Sequence, residues 1–283
     1  MIEYRLTLAG CDCAVAEWNP SGSILVFALH GWLDNLASFE TLVEFMPDIR
    51  LVAVDFPGHG HSQHIPDGYA YHFIDGLYLI DDLAVHFNQS KINILGHSMG
   101  GAISTLFASS QINKVSGLVL IESVGPLTAT PKETIDLMAK AVKQRALLVD
   151  KRKPVYPDFE LALLARAEAS MIKKELVMPI VERALTNVDG GYTWRADPRL
   201  RVVSPVRMSE DQLKQTLSLI KAPVLLIEGD NGFIKQYSEL EMRKEHISHL
   251  QVTVLEGGHH IHLEQPETCG LKIQNFFNSI GQN

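Results

Sequence analysis

The sequence predicts an α/β fold, a mostly parallel doubly wound sheet with a helical cap inserted after its sixth strand. Two observations carry that expectation. Short, mainly apolar runs (Ile24 to Leu29, Arg50 to Val54, Ile92 to Leu95 and Val115 to Ile121) alternate with segments whose apolar residues recur at helical spacing. Runs of this kind suit strands buried on both faces, and their alternation with helices suits a parallel sheet covered on both sides. After Gly125-Pro126 the rhythm breaks, and residues 126–205 read as largely helical before a strand-like run returns at Pro223.

Taken in order, Ile2 to Ala9 and Cys13 to Trp18 alternate loosely about Gly10 and predict a hairpin. Ile24 to Leu29 is the third strand. Asp34-Asn35 offers a cap to a helix whose apolar side carries Leu36, Phe39, Leu42, Val43 and Met46. The fourth strand, Arg50 to Val54, ends at Asp55 and a Pro-Gly turn. Phe73, Leu77, Ile80, Leu83, Ala84 and Phe87 mark the next helix, Ile92 to Leu95 the fifth strand, and a small-residue helix starts near Gly100. Val115 to Ile121 is the sixth strand. The insertion shows no convincing buried strand; beyond it come a strand at Pro223 to Ile227, a helix near Gln236 to His246, a strand at Val252 to Leu255 and a closing helix from Pro266 to Ile280. Residues 1–125 and 206–283 are therefore expected to form one core domain and 126–205 its cap.

Composition narrows the function classes. With 283 residues, 46% of them apolar and 20% charged, the chain is globular and large enough to bury its own core. A formal charge of −8 disfavours nucleic acid or an anionic membrane as partner. No apolar run approaches the roughly 18 residues that span a bilayer, and the opening MIEYRLTLAG lacks the basic start of a signal peptide. Cys11, Cys13 and Cys269 are odd in number and do not outline a disulfide framework; the first two read as neighbours on one strand. A soluble, cytoplasmic enzyme without cofactor or metal is the expectation, acting on a small molecule. The basic residues Lys140, Lys143, Arg145, Lys151, Arg152 and Lys153 read as solvated helix faces.

Gly96-His97-Ser98-Met99-Gly100 matches G-x-S-x-G, a string of which roughly 0.1 chance copies are expected at this length. Its setting between the fifth strand and a helix is that of a nucleophile elbow, which presents the serine above the sheet. A serine hydroxyl needs an adjacent base. Gly257-Gly258-His259 follows a strand and reaches the same rim, with His260 and His262 as competitors. A carboxylate should hold the imidazole in its working tautomer, and two stand in suitable chain order: Glu122, at the end of the sixth strand, and Asp230, in the turn-like Asp230-Asn231-Gly232. Oxyanion donors are expected from the backbone N–H groups of Met99 and Trp32, with Gly31 allowing close approach; the Trp32 ring reads as core filling. Met138, Leu147, Phe159, Leu163, Met171, Tyr192 and Trp194 are expected mainly as cap core, with a pocket role as the alternative.

Four motifs in this order resemble the α/β-hydrolase superfamily: His30-Gly31-Trp32, Asp55 to Ser62, Gly96 to Gly101, and Gly258-His259 with Glu264-Gln265-Pro266. Within it, His30 to Asn35, Ala196 to Leu200 and Leu226 to Phe233 resemble the serine hydrolase-like proteins. The resemblance covers the sheet domain and implies a Ser98–His259 pair, His259 being marked by the offset to Glu264-Gln265-Pro266. Many members place the acid three residues after the glycine closing the seventh strand, which here is Gly232. Some take it from the sixth strand instead, which implies Glu122 over Asp230. The activity implied is ester hydrolysis through an acyl-enzyme; carbon–carbon bond hydrolysis, perhydrolysis and non-catalytic ligand binding use the same scaffold. Dehalogenation and epoxide hydrolysis need an aspartate where Ser98 stands. A zinc hydrolase, suggested by the H-x-H-x-x-H spacing of His59, His61 and His64, conflicts with Gln63, where that class has an aspartate.

Overall fold

The computed structural model describes residues 1–148 and 152–281. Lys151, one of the basic residues above, lies outside them. Strands β1 (Ile2–Leu8) and β2 (Cys11–Trp18) form the hairpin; β3 (Ile24–Leu29), β4 (Ile49–Val54), β5 (Ile92–His97) and β6 (Val115–Ile121) follow, with helices α1 (Gly76–His86) and α2 (Met99–Ser110) among them. The insertion contributes α3 (Pro131–Leu147), α4 (Phe159–Ser170), α5 (Lys174–Ala184) and the strands β7 (Leu185–Val188) and β8 (Gly191–Trp194). The chain returns through α6 (Glu210–Leu217), β9 (Val224–Gly229), α7 (Ser238–Arg243), β10 (Leu250–Leu255), α8 (Ile261–Glu264) and α9 (Pro266–Ile280).

Eight strands form one sheet in the order β1-β2-β4-β3-β5-β6-β9-β10. The β1–β2 and β2–β4 pairs are antiparallel and the rest parallel. Alternate residues of the central strands feed opposite cores. Phe27, Leu29, Ile94, Leu118 and Leu226 pack with α1, α2 and α6, whereas Val26, Ala28, Leu95, Val119 and Leu225 pack with α9 and the 3-10 helix Leu36–Phe45. This two-sided burial is the reason the strands read as continuous apolar runs. From β3 the chain steps outward to β4 and then returns to β5 on the other flank of β3. That reversal opens a crevice at the carboxyl ends of β3 and β5, the usual ligand position in such sheets.

Several expectations are corrected. The segment Leu36–Phe45 winds as a 3-10 helix, and of the expected Asp34-Asn35 cap it is Asn35 Oδ1 that accepts from the Ala37 N–H. The helix expected over Gln236 to His246 is broken into α7 between two 3-10 turns, Ile234–Gln236 and Lys244–His246. The insertion does contain strands: β7 and β8 form a hairpin across Asp189-Gly190, a turn dipeptide whose signal was present in the sequence. Strands of four residues are too short to stand out among helical neighbours. Met138, Leu147 and Met171 are exposed, the last at 81%, so they are not core. The insertion's own core is Ala162, Leu163, Ala167, Val177, Ile180, Val181 and Leu185, joined by Leu263 of α8, with Phe159, Tyr192 and Trp194 packed against it.

Polar contacts tie the insertion to the sheet. Arg183 of α5 pairs with the buried Asp55 and with Glu3, and Asn35 Nδ2 donates to Ile180 O at 2.8 Å. Arg199 bonds Asp197 and donates to the carbonyls of Ile65, Pro66 and Tyr69, holding the loop after β4 to the exit of the insertion. The three cysteines are free and buried. Among the described residues no helix is long and apolar enough to cross a membrane.

Candidate active site

Ser98 sits between β5 and α2 at φ +49°, ψ −113°, a backbone conformation unusual for a residue with a Cβ. Such strain costs about 1–3 kcal/mol and persists only where its surroundings hold it. Here the Ser98 N–H donates to Ile121 O at 2.9 Å, and the Gly100 N–H donates to His30 O at 3.1 Å. Gly100 is required by space: a Cβ there would stand 2.0 Å from Leu29 O. The tight turn brings α2 against the end of β3, where the His30-Gly31-Trp32 loop begins.

The sequence candidates converge. Ser98 Oγ lies 2.9 Å from His259 Nε2, and His259 Nδ1 lies 3.2 Å from Glu122 Oε2. Glu122 is buried at the end of β6 and is held by further donors: Gly229 N–H to Oε1 at 2.8 Å, Phe233 N–H to Oε2 at 2.6 Å and Ile234 N–H to Oε2 at 3.4 Å. Phe233 meets the His259 ring edge-on, with centroids 5.6 Å apart. The carboxylate thus accepts backbone and imidazole donors together, which fixes it facing the ring.

Asp230 is placed differently. Its Oδ1 accepts from Gly257 N–H at 3.0 Å and from Asn231 Nδ2 at 3.2 Å, a role in shaping the loop before His259. Gly232, where many relatives of this fold carry the acid, explains the exchange. A Cβ on Gly232 would stand 2.1 Å from Glu122 Oε1, so the Glu122 carboxylate fills the space a side chain at 232 would need.

Met99 is the first residue of α2, so its N–H has no intrahelical acceptor. Among the described residues, neither that N–H nor the Trp32 N–H donates to a protein group. The Trp32 ring does not fill core: it is 48% exposed, its indole N–H donates to Leu200 O at 2.9 Å, and the Arg201 guanidinium lies 5.7 Å from the ring centroid. A cavity of about 480 Å³ lined by Gly22, Ile24, Asn93 and Phe277 opens at the other ends of the strands, away from these residues.

The other histidines separate. His59 is buried, with Nδ1 3.2 Å from Pro57 O; His61 faces Glu3, and His64 bonds Arg195 O and faces Asp197. Burial pushes His30 down to about 4 and His59 to about 3. The zinc site suggested by His59, His61 and His64 does not assemble. The sequence reading missed a buried group directly behind the Ser98–His259 pair: Asp34, His97 and His260, with Arg166 of α4 bonded to Asp34 and His262 bonded to Ser38 Oγ at 2.7 Å. His97 and His260 are the sequence neighbours of Ser98 and His259, which was the available signal; Asp34 and Arg166 carry none. Burial raises the Asp34 carboxyl, but Arg166 and His260 outweigh that and hold it well below the usual range. Burial also pushes His262 well below its ordinary value.

Comparison with known proteins places the chain in a family. Residues 24–266 match the alpha/beta hydrolase fold family. A serine hydrolase-like protein of Dictyostelium discoideum is 30% identical, the match covering 94% of this chain and 79% of that one. A serine hydrolase-like protein of Danio rerio is 28% identical over 97% of this chain and 87% of that one. The crystal structure of a hypothetical protein from Pseudomonas aeruginosa PAO1 superposes with a TM-score of 0.92 at 31% identity, covering all of both chains. A serine elbow at the switch point of an eight-stranded sheet and sequence similarity over nearly the whole length lead to one assignment: the chain belongs to the alpha/beta hydrolase fold family and is similar to its serine hydrolase-like members.

Proposed function

We propose that the protein is a serine carboxylesterase acting on small, hydrophobic esters through an acyl-enzyme. The observation that carries this reading is the continuous chain from Ser98 Oγ through His259 Nε2 and Nδ1 to Glu122 Oε2, with steps of 2.9 and 3.2 Å. Ser98 Oγ attacks the ester carbonyl carbon while His259 Nε2 takes its proton. Glu122 accepts from Nδ1–H, keeps the ring in that tautomer and stabilises the imidazolium that forms. The oxyanion of the tetrahedral intermediate accepts from the N–H groups of Met99 and Trp32. His259 then gives its proton to the departing alkoxide, leaving an ester on Ser98. In the second half His259 removes a proton from water, the hydroxide attacks the acyl carbon, and Ser98 leaves with the proton returned. Water is the only co-reactant required. The residues 126–205 act as a cap over the carboxyl rim of the sheet. The exposed Trp32 ring and Phe233 beside His259 offer apolar surface to the acyl and alcohol groups.

The test is hydrolysis of p-nitrophenyl esters of graded acyl length by the protein and by Ser98→Ala. Turnover highest for short to medium chains, and lost in Ser98→Ala at unchanged melting temperature, is expected. Near-normal hydrolysis by the variant removes Ser98 from the mechanism. A wild-type protein inert toward every ester, yet binding them, would make this a ligand-binding member of the fold.

A further inference from the structure

We propose that Asp34, His97 and His260 form a binding site for a borderline transition-metal dication, Zn²⁺ being the best match, immediately behind the Ser98–His259 pair. The three side chains are buried, and each offers one ligand atom within 4.8 Å of the others. His97 Nδ1 and His260 Nε2 each lie 3.4 Å from Asp34 Oδ2. Ligand atoms held 2.0–2.1 Å from a tetrahedral Zn²⁺ stand about 3.4 Å apart, so these separations already have the length of tetrahedral edges. Two imidazoles and a carboxylate are a donor set that suits zinc better than magnesium or calcium.

The tautomer of His97 supplies the second, independent argument. Its Nε2 lies 3.0 Å from the carbonyl oxygen of His259, which only accepts, so Nε2 carries the proton. In the neutral ring Nδ1 is then a bare lone pair. It is buried, has no partner closer than Asp34 Oδ2 at 3.4 Å, and that partner is a carboxylate oxygen. Lone pair against lone pair is repulsive, and a positive charge between the two groups removes the conflict, either a metal dication or a second proton on the ring. Metal-ligating histidines characteristically donate their other ring N–H to a backbone carbonyl, as His97 does. Arg166 holds the remaining oxygen of Asp34 and so orients the carboxylate from α4. Gly31 packs closely against the pair: a Cβ there would stand 2.9 Å from both Asp34 Oδ2 and His97 Nδ1, so glycine is what leaves these two atoms uncrowded.

Occupancy bears on the proposed esterase, and this consequence rests on that reading. The His97 and His260 rings lie 5.0 and 5.5 Å from the His259 ring, centroid to centroid. A dication among them opposes the positive charge that His259 acquires when it takes the Ser98 proton, so the loaded protein turns over more slowly.

The experiment is a calorimetric titration of the purified full chain with Zn²⁺ alone, after chelator treatment, run on the wild type, Ser98→Ala, His259→Ala, His260→Asn and Asp34→Asn. One equivalent is expected in the first three, weakened at least roughly tenfold in the last two. Excess Mg²⁺ leaves the uptake unchanged. A Co²⁺ titration read by visible absorption reports four-coordination on the same chains. If Asp34→Asn fails to fold, His260→Asn decides. No uptake by the wild type, uptake that survives His260→Asn, or uptake lost only in His259→Ala (which would place the ion on the triad imidazole) overturns the proposal. Binding is read without ester turnover, so failure of the esterase reading leaves this test intact. With an active wild type, Zn²⁺ lowers the rate and chelator restores it.

Discussion

Replacing Glu122 by Gln probes the proposed triad most informatively, because it keeps shape while changing charge and donor pattern. Both carboxylate oxygens accept: Oε1 from Gly229 N–H, and Oε2 from Phe233 N–H, Ile234 N–H and His259 Nδ1–H. A carboxamide has one accepting oxygen. If its NH₂ replaces Oε1 it meets the Gly229 N–H; if it replaces Oε2 it meets three donors, His259 included. The first orientation forfeits one charge-assisted bond, about 1.5–3 kcal/mol of stability. The second forces His259 toward the other tautomer, which puts a proton on Nε2 and removes the base. Neutralising a triad acid has cost about 10⁴-fold in turnover elsewhere, equivalent to about 5.5 kcal/mol of barrier. For Glu122→Gln, kcat on p-nitrophenyl butyrate is expected to fall about 10³–10⁴-fold with KM little changed. In Asp230→Asn the carbonyl oxygen still accepts from Gly257 N–H, and kcat is expected to stay within about threefold, since that carboxylate touches loop backbone rather than His259. Steady-state kinetics with thermal melts on both variants decide. Activity retained in Glu122→Gln and lost in Asp230→Asn refutes the assignment.

Three further outcomes are expected. Gly232→Ala drives a methyl group into Glu122 Oε1, so kcat should drop at least about tenfold in a folded protein, and wild-type kcat would show that the carboxylate does not need that space. Arg183→Ala leaves Asp55 buried without its guanidinium partner and should lower the unfolding free energy in urea by about 3–5 kcal/mol; a loss under about 1 kcal/mol contradicts this. Because burial lowers His30 to about 4 in the folded chain, below its unfolded value, the unfolded state binds the proton first as pH falls. The stability is therefore complete above about pH 6.5 and lost on descending toward pH 4, by about 2–3 kcal/mol at pH 4.5 from this group alone, with His59 acting in the same direction. Urea unfolding at pH 7.5 and 4.5 measures it, and equal values would show that these rings do not stay neutral in the fold.

What was legible in the sequence follows from local physics. The closing helix begins at Pro266 and ends at Ile280 as its pattern predicts, because a proline at the first helical position and regular apolar spacing need no tertiary help. The strands β3 to β6 were visible for a different reason: burial on both faces removes polar residues from them. The elbow around Ser98 was visible because backbone clearance at Gly100 leaves no alternative to glycine. Other features depend on partners distant in the chain. Whether Glu122 or Asp230 faces His259 turns on the space at Gly232, more than one hundred residues from Glu122. The exposure of Trp32 depends on Leu200 O accepting its indole N–H, 168 positions away. Asp34 looks like a helix cap in the sequence. Only the fold shows that it meets His97 at the end of β5, His260 before α8 and Arg166 of α4 instead.

The most direct test of the central claim is covalent labelling of the nucleophile. A fluorophosphonate needs a serine oxygen activated by a base and an oxyanion site for its phosphoryl oxygen, and it makes no demand on the natural substrate. Intact-mass spectrometry after brief exposure is predicted to show one adduct per chain, mapped by peptide sequencing to Ser98 and absent in Ser98→Ala and His259→Ala. A wild-type chain that stays unmodified at Ser98, or one that labels equally well without His259, would contradict a Ser98 nucleophile activated by that imidazole.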